Sequence, residues 1–285
     1  MAIGWYPGHM HKARKDITQA LNKVDAVIEL VDARLPHASE NPLLNKLIGG
    51  KPRLRVLNKA DLADPAVSVL WQQYFRTANI NNLLMHKDDT HALKQILAKV
   101  IAGHELPVSR AARIMIVGIP NVGKSTLINL LADRKIAKVG NEPAVTKARQ
   151  EIRLTDDMVL LDTPGILWPK LEDQQAAYRL AASGAIRNTA IELADIGMWT
   201  VAFLRQRYPA VMPQRYDLDE DEGAEDFRIL EAIGRRRGCL VRGGVDLHKA
   251  AEVLLNDLRA GKLGLISLET PDDIPPPAPV TTADE

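Results

Sequence analysis

Short apolar runs separated by polar, turn-forming stretches organise the first half of the chain. Ala26 to Val31, Leu54 to Leu57, Arg113 to Val117 and Met158 to Leu161 are mostly apolar and too short for helices. Such runs suit strands of a parallel sheet buried on both faces. Ahead of them, Met10, Ala13, Ile17, Leu21 and Val24 recur at helical spacing and predict an amphipathic helix. Lys124 opens a further helical stretch with Leu127, Leu130 and Leu131 on one face. Residues Ala102 to Pro107 read as an exposed linker. Beyond Ile166 the period becomes helical, over Gln174 to Ile191, Asp195 to Gln206, Glu225 to Arg236 and Asp246 to Arg259. In the last of these Leu247, Ala251, Leu254 and Leu258 form a buried stripe, and Gly261 is a natural stop. The run Pro271 to Glu285, with Pro275-Pro276-Pro277, predicts a disordered tail. No internal repeat is present.

The segments that follow the strands carry the chemistry. Gly118 to Ser125 (GIPNVGKS) sits between a strand and a helix, the context a phosphate loop requires. Backbone N–H groups and a helix N-terminus converge there on a polyphosphate. Asn121, Val122, Gly123, Lys124, Ser125 and Thr126 are its candidate phosphate-binding residues. Lys124 would reach the β- and γ-phosphates, and Ser125 would hold Mg²⁺. A chance glycine loop is the alternative, and the strand–loop–helix context disfavours it. Asn58-Lys59-Ala60-Asp61 follows the second strand. A carboxylate at Asp61 accepts from both guanine N1–H and the exocyclic amine, whereas adenine would leave it unpaired. The Lys59 stem would cover the base and Asn58 would tie the loop down; taken alone, the tetrapeptide reads equally as a helix cap. Asp162-Thr163-Pro164-Gly165 follows the fourth strand, with Asp162 suited to a water-mediated Mg²⁺ contact and Gly165 to the γ-phosphate. Thr146, in the loop Pro143 to Lys147, is the candidate second hydroxyl on Mg²⁺.

The order of these motifs is unusual. Ordinary GTPases carry the phosphate loop first and the NKxD element last, whereas here NKAD precedes the phosphate loop. The predicted fold is therefore α/β, a circularly permuted P-loop G domain with a mostly parallel sheet and helices on both faces. It would occupy residues 1–170 together with the N-terminal helix, followed by a small all-α domain over 171–269 and a disordered tail over 270–285.

Trp5-Tyr6-Pro7-Gly8-His9-Met10, Asp32-Ala33-Arg34-Leu35-Pro36, NKAD, GIPNVGKS, Pro143 to Lys147 and DTPG together resemble the ribosome biogenesis GTPase A family. The resemblance continues through Gly238 and Arg242 to Glu269, nearly the whole chain. It implies a bacterial or organellar GTPase assisting late assembly of the large ribosomal subunit, binding rRNA or the subunit in its GTP state and released by hydrolysis. Ras-like enzymes place a water-orienting Gln after the DxxG glycine, where this chain has Ile166. The resemblance points instead to His9 as the catalytic helper, alongside Lys124 and Thr146; capping of the following helix is the other role open to His9. Asn121 resembles the residue that holds K⁺ in cation-dependent GTPases. The chain departs from the pattern at Leu84 to Lys87, where GTPases usually read Ser-Ala, and at Ala144 in place of Gly.

Composition narrows the alternatives. The 285 residues carry 46% hydrophobic and 26% charged side chains, ordinary for a globular protein with a substantial core. The single cysteine, Cys239, excludes a disulfide framework and a cysteine-rich zinc site. No stretch approaches a membrane span, and the N-terminus lacks an apolar signal core or an Arg/Ser-rich transit segment, so a cytoplasmic location is expected. Net charge is +1, against a uniformly basic coat for DNA or RNA, but its distribution is uneven. His9 to Lys23 holds four Lys/Arg against one Asp, and Phe227 to Lys262 holds eight against four acids. Between them Asp217 to Asp226 holds seven acids. Solvated faces are one reading of such runs; contact with RNA, through Lys12, Arg14 and Lys15 and through Arg235, Arg236, Arg237, Arg242 and Lys249, is the other. An RNA-binding scaffold with GTP as a structural ligand, and a signalling or tRNA-modification GTPase, are the competing functions. Intact Lys124, Ser125 and Asp162 weigh against the first, and the C-terminal resemblance against the second.

Overall fold

The computed structural model describes residues 18–86, 110–132, 150–156, 158–162, 173–186, 188, 191–218 and 225–274. The four apolar runs become strands β1 (Ala26–Asp32), β2 (Arg53–Asn58), β4 (Ala112–Gly118) and β6 (Met158–Asp162), and two strands that no apolar run marked join them, β3 (Asn82–Leu84) and β5 (Gln150–Thr155). They form one sheet in the order β3-β2-β1-β4-β6-β5. Every described pairing is parallel except β5 with β6. Counting from β4 and wrapping to β1 restores the usual motif order, phosphate loop, DTPG and then NKAD. Strand adjacency is thus independent of where the chain starts.

Side chains alternate across the sheet because successive strand residues point to opposite faces. Ile28, Leu30, Ile114, Ile116 and Leu160 share one core with Leu127 and Ile128 of α3 (Lys124–Leu131). Val27, Met115, Val117 and Leu161 face the other way, against Ala20, Leu21 and Val24 and against Leu44 and Ile48 of α1 (Pro42–Ile48). Val31 and Leu57 meet Trp71 and Phe75 of α2 (Pro65–Thr77), whose first turn is capped by the Asp64 carboxylate on the N–H groups of Ala66 and Val67. The N-terminal helix ends at Leu21, so Val24 packs from the turn beyond it rather than from the predicted helix.

One feature of the sheet is invisible in its apolar pattern. Glu29, mid-β1, is buried and lies in register with Arg55 of β2. Its Oε2 accepts from Arg55 Nε at 2.9 Å and from Arg53, while Arg55 also reaches Glu40 at 2.6 Å. The Arg55 guanidinium lies 4.9 Å from the centroid of the Phe75 ring. Pairing and stacking together make a buried charge tolerable inside a strand.

The second half folds as α4 (Gln174–Ser183), α5 (Leu193–Arg207), α6 (Val211–Tyr216), α7 (Asp226–Arg236) and α8 (Leu247–Arg259). Helix α4 stops well short of the predicted Ile191, because Gly184 takes φ 85° and turns the chain out of the helix. Helix α8 runs as predicted, with Asp246 capping Lys249 N–H and with Ala251, Leu254 and Leu258 buried. Two elements of this half have no counterpart in the helical spacing, the short α6 and a hairpin of β7 (Leu240–Val241) with β8 (Gly244–Val245). The otherwise helical half therefore contains a small ladder.

Past α8 the chain returns to the sheet as a strap. Ile266 N–H donates to Leu62 O at 3.0 Å, Leu268 N–H to Arg34 O at 2.6 Å, and Ser267 Oγ accepts from Asp64 N–H at 3.1 Å. The buried Glu269 carboxylate accepts from the N–H groups of His37 and Ala38, and its carbonyl accepts from Trp71 Nε1 at 3.2 Å. Pro271–Asp273 forms a 3-10 turn with a capping box from Thr270, and Asp273 pairs with Arg207 at 2.6 Å. Packing thus continues beyond Pro271, where a tail was predicted. The two halves share one hydrophobic core as well as the strap.

Burial raises the Glu269 carboxyl to about 7, against the lowering pull of Arg179 and the two N–H groups. The folded state then holds the proton more tightly than the unfolded chain. Its contribution is complete below about pH 4.5 and is lost as pH rises through about 7, on the order of 3 kcal/mol in all. Denaturant titrations between pH 4 and 8 are expected to show stability falling across this window, and Glu269→Gln to flatten the fall. An equally steep pH dependence in the variant would contradict the assignment.

Candidate nucleotide site

Parallel strands deliver their following loops to one edge, where α/β folds bind ligands. Here β1, β2 and β4 bring DARLP, NKAD and the phosphate loop to that edge, and β6 ends there at Asp162. Strand β1 lies between β2 and β4, with Asp32 opposite Asn58 and Leu30 opposite Gly118.

The phosphate-loop motif closes on itself and on the NKAD loop. Asn58 Nδ2 donates to Val122 O at 2.7 Å, joining the two motifs directly. Gly123 takes φ 102°, and a Cβ there would stand 2.2 Å from Asn58 Nδ2. Only glycine permits that backbone and that approach. Lys124 is buried, its ammonium donating to Gly118 O at 3.1 Å and Ile119 O at 2.8 Å. Those carbonyls hold the ammonium beside the loop through which a phosphate would be met. Ser125 and Thr126 occupy the first turn of α3. Asn121 takes a left-handed φ of 57° and its Nδ2 donates to Gly184 O at 2.9 Å, on the cap of α4. That contact puts the helical half in touch with the phosphate loop, and no local pattern in the sequence announces it.

The NKAD loop is anchored through charge. Lys59, in the left-handed region at φ 61°, extends Nζ to Asp32 Oδ2 at 3.0 Å. Asp32 in turn takes Arg34 Nε at 2.9 Å and Nη2 at 2.8 Å, a bidentate pair out of contact with solvent. Burial alone would push the Asp32 carboxyl up; Arg34 and Lys59 overcome this and hold it well below the usual carboxylate range. Desolvation lowers the Lys59 ammonium against the pull of Asp32. Asp61 follows in a 3-10 turn, its carboxylate exposed. Behind that turn Leu62 O accepts from Ile266 of the strap, so the NKAD loop is braced by the end of the helical half. Residues 84–86, where the usual Ser-Ala is missing, run alongside. Met85 is buried, takes the N–H of Ala60 on its carbonyl at 3.1 Å, and leaves His86 exposed.

His9, Thr146 and Gly165 lie outside the described residues, as do Lys12, Arg14 and Lys15. Asp162 is placed by its backbone at the end of β6, opposite Ile116. The structure therefore brings together Asn58, Lys59, Asp61 and the loop from Asn121 to Thr126. It adds Asp32 and Arg34, whose place after β1 was visible in the sequence but whose role was not. On the helical half, Arg235 pairs with Glu231 at 2.8 Å, Arg236 with Asp217 at 3.1 Å, and Lys249 with Asp246 at 3.8 Å. Arg242 is exposed at the hairpin turn.

Comparison with known proteins gives a consistent picture. A family profile described as "50S ribosome-binding GTPase" matches residues 113–221. Ribosome biogenesis GTPase A of Priestia megaterium is 44% identical over 97% of this chain and 100% of its own length. The protein of that name from Bacillus cereus is 46% identical over 96% and 95%. A crystal structure of GNP-bound YlqF from T. maritima superposes with a TM-score of 0.66 at 28% identity, covering 92% of this chain and 100% of that one.

Removing one partner of a buried ion pair strands the other. Asp32→Ala leaves Arg34 buried without its carboxylate, so a loss of roughly 3–5 kcal/mol in folding stability is expected. Lys59→Ala removes only the more exposed end of the network and should cost under about 1 kcal/mol. Urea unfolding of both variants checks the ranking, and equal losses would show that Arg34 is not what Asp32 supports.

Proposed function

The chain belongs to the ribosome biogenesis GTPase A family, and on that premise we propose that it is an assembly checkpoint of the large ribosomal subunit. It is a GTPase and acts in ribosome biogenesis. In the proposed cycle the GTP state binds the large subunit or its precursor through rRNA and ribosomal proteins, and hydrolysis releases it.

The observation that carries the proposal is the contact between phosphate loop and helical half. Asn121 donates to Gly184 O, and the same cap is held from below by Arg259 of α8, through Ala182 O at 3.0 Å and Ala181 O at 2.8 Å. A Cβ on Gly184 would stand 3.1 Å from Arg259 Nε. A change at the phosphates thus has a short path to α8, a local event with a distant readout. Gly165, Ile166 and the run to Lys170 lie outside the described residues; a γ-phosphate contact at Gly165 would act through that run on the start of α4, while Asn121 acts on its end.

Within the site, Asp61 reads guanine N1–H and the exocyclic amine, Asn58 holds the loops together, and Lys59 covers the base. Lys124 and the N–H groups from Asn121 to Thr126 bind the phosphates, joined by Gly165 at the γ-phosphate. Ser125, with Thr146 and Asp162, would hold Mg²⁺, which neutralises charge on the β- and γ-oxygens when bound. The fit rests on the Ser125 hydroxyl in the first turn of α3, next to Lys124. Asn121 is the residue that would hold K⁺, and His9 orients the attacking water in place of the missing glutamine.

Competition titration is expected to show GTP and GDP binding with strong rejection of ATP. Asp61→Asn should shift preference toward xanthine nucleotides, since an amide donates to the acceptor xanthine presents there. Equal affinity of the wild type for ATP and GTP would sink the guanine assignment.

Hydrolysis is expected to be slow alone, faster with large subunits than with small ones, and faster in K⁺ than in Na⁺. His9→Ala should lose most of the subunit-stimulated rate. Normal stimulated turnover in that variant would remove His9 from catalysis, and equal rates in the two salts would remove K⁺.

A further inference from the structure

Three cations from three elements converge on one carboxylate at the outer end of α8. Asp257 is only 5% exposed. Its Oδ2 accepts from Arg215 Nε of α6 at 2.9 Å and from the Tyr216 hydroxyl at 3.3 Å. Arg237, capping α7, brings Nη2 to 3.7 Å of the same oxygen, and Lys262 Nζ stands 3.4 Å from Oδ1. The Arg237 guanidinium also rests on the Tyr216 ring, 5.1 Å from its centroid. Burial would raise the Asp257 carboxyl, but Arg215 and Lys262 hold it below its usual range, so it stays ionised.

The charge does not balance. Among the described residues one carboxylate faces three cations, a surplus of two positive charges gathered within a few ångströms. A single arginine would neutralise Asp257, and the second and third cations repel the first. Fold stability alone gives no reason to collect them. Their side chains remain 31%, 35% and 58% exposed for Arg215, Arg237 and Lys262, so donors beyond those on Asp257 face solvent. Elsewhere on this half the described acids meet one cation or two, as Asp226 meets Arg205 and Glu231 meets Arg228 and Arg235. Only at Asp257, among the described residues, do three cations meet one acid.

We propose that Arg215, Arg237 and Lys262 form a phosphate clamp for the backbone of folded RNA, with Asp257 as the positioning residue that fixes the three heads. The inference rests on the proposed binding to the large subunit and names where that contact is made. Folded RNA is met through phosphate and shape rather than base edges, and point charges held in place suit that task. An acidic protein surface would call for an aromatic or apolar anchor among the cations. The only aromatic ring in the cluster, Tyr216, is buried beneath Arg237.

Full-length wild type, Arg215→Ala, Lys262→Ala and Asp257→Asn, each checked for an unchanged circular-dichroism spectrum, are titrated with large subunits and with protein-free large-subunit rRNA across a salt series. Arg215→Ala and Lys262→Ala are each expected to weaken both interactions about tenfold at low salt. Each should also flatten the slope of log K against log salt by about 0.7–0.9. Asp257→Asn removes a negative charge, so tighter binding would mean bulk attraction and would overturn the positioning role; weaker binding supports it. Should Asp257→Asn not fold, the two cation variants decide the clamp. Wild-type binding with unchanged slopes in both would overturn the clamp and leave the checkpoint standing. Weakened binding to subunits with unaltered binding to bare rRNA would overturn RNA in favour of an acidic protein. No wild-type binding to large subunits at all would fell the checkpoint reading itself, and the clamp with it.

Discussion

The hydrogen bond from the Asn58 amide to the Val122 carbonyl joins the NKAD loop to the GIPNVGKS loop. It exists because β2 and β4 flank β1 in parallel, so their following loops emerge side by side although some sixty residues of chain separate them. The bond is buried, and breaking it would leave both partners without water to replace it. Gly123 is the complement of that bond, since any side chain would occupy the space of the Asn58 amide. Neither loop can then shift without the other. Sheet adjacency supplies this constraint, which is why a permuted chain order preserves the geometry.

Behind the bond stands a set of charges that the sheet buries. Asp32 is shared by Arg34 and Lys59, and Glu29 by Arg53 and Arg55. Buried ion pairs seldom add net stability over apolar replacements, because desolvation offsets the attraction. What they supply is direction. A bidentate guanidinium fixes the Asp32 plane, and the plane fixes Lys59, a residue otherwise strained at positive φ. The Arg34 carbonyl, used by Leu268, carries the same order into the strap.

The helical half consequently touches the nucleotide loops at two places. The strap bonds Leu62 beside Asp61, and the cap of α4 takes Asn121 from the phosphate loop. Helix α8 links these contacts to the outer surface, with Asp257 turned toward solvent-facing cations and Arg259 toward Gly184. Burial lowers Arg259 to about 10, so it keeps its charge at neutral pH and its hold on the α4 carbonyls. A shared apolar core stiffens the whole, so communication between the halves runs through bonded contacts rather than across an open joint.

The amino-acid sequence by itself determined the motifs, the four apolar strands, the ends of α8 and the permuted order. Each of those is a local matter, of residue type, of burial periodicity, or of a cap that bonds its own helix. Helix α4 was overextended because Gly184 looks like one more residue until its backbone sign is known. Arg55 reads as a polar residue in a strand, and only the neighbouring strand supplies Glu29. The roles of Asp32, Gly184 and Asp257 were likewise decided by the tertiary structure alone. Each depends on groups brought from distant parts of the chain by strand crossing and helix packing. A charge or carbonyl carries no local mark of the partner that will satisfy it. That partner is chosen by where the chain folds back, and the hydrophobic pattern fixes this only after every element has packed.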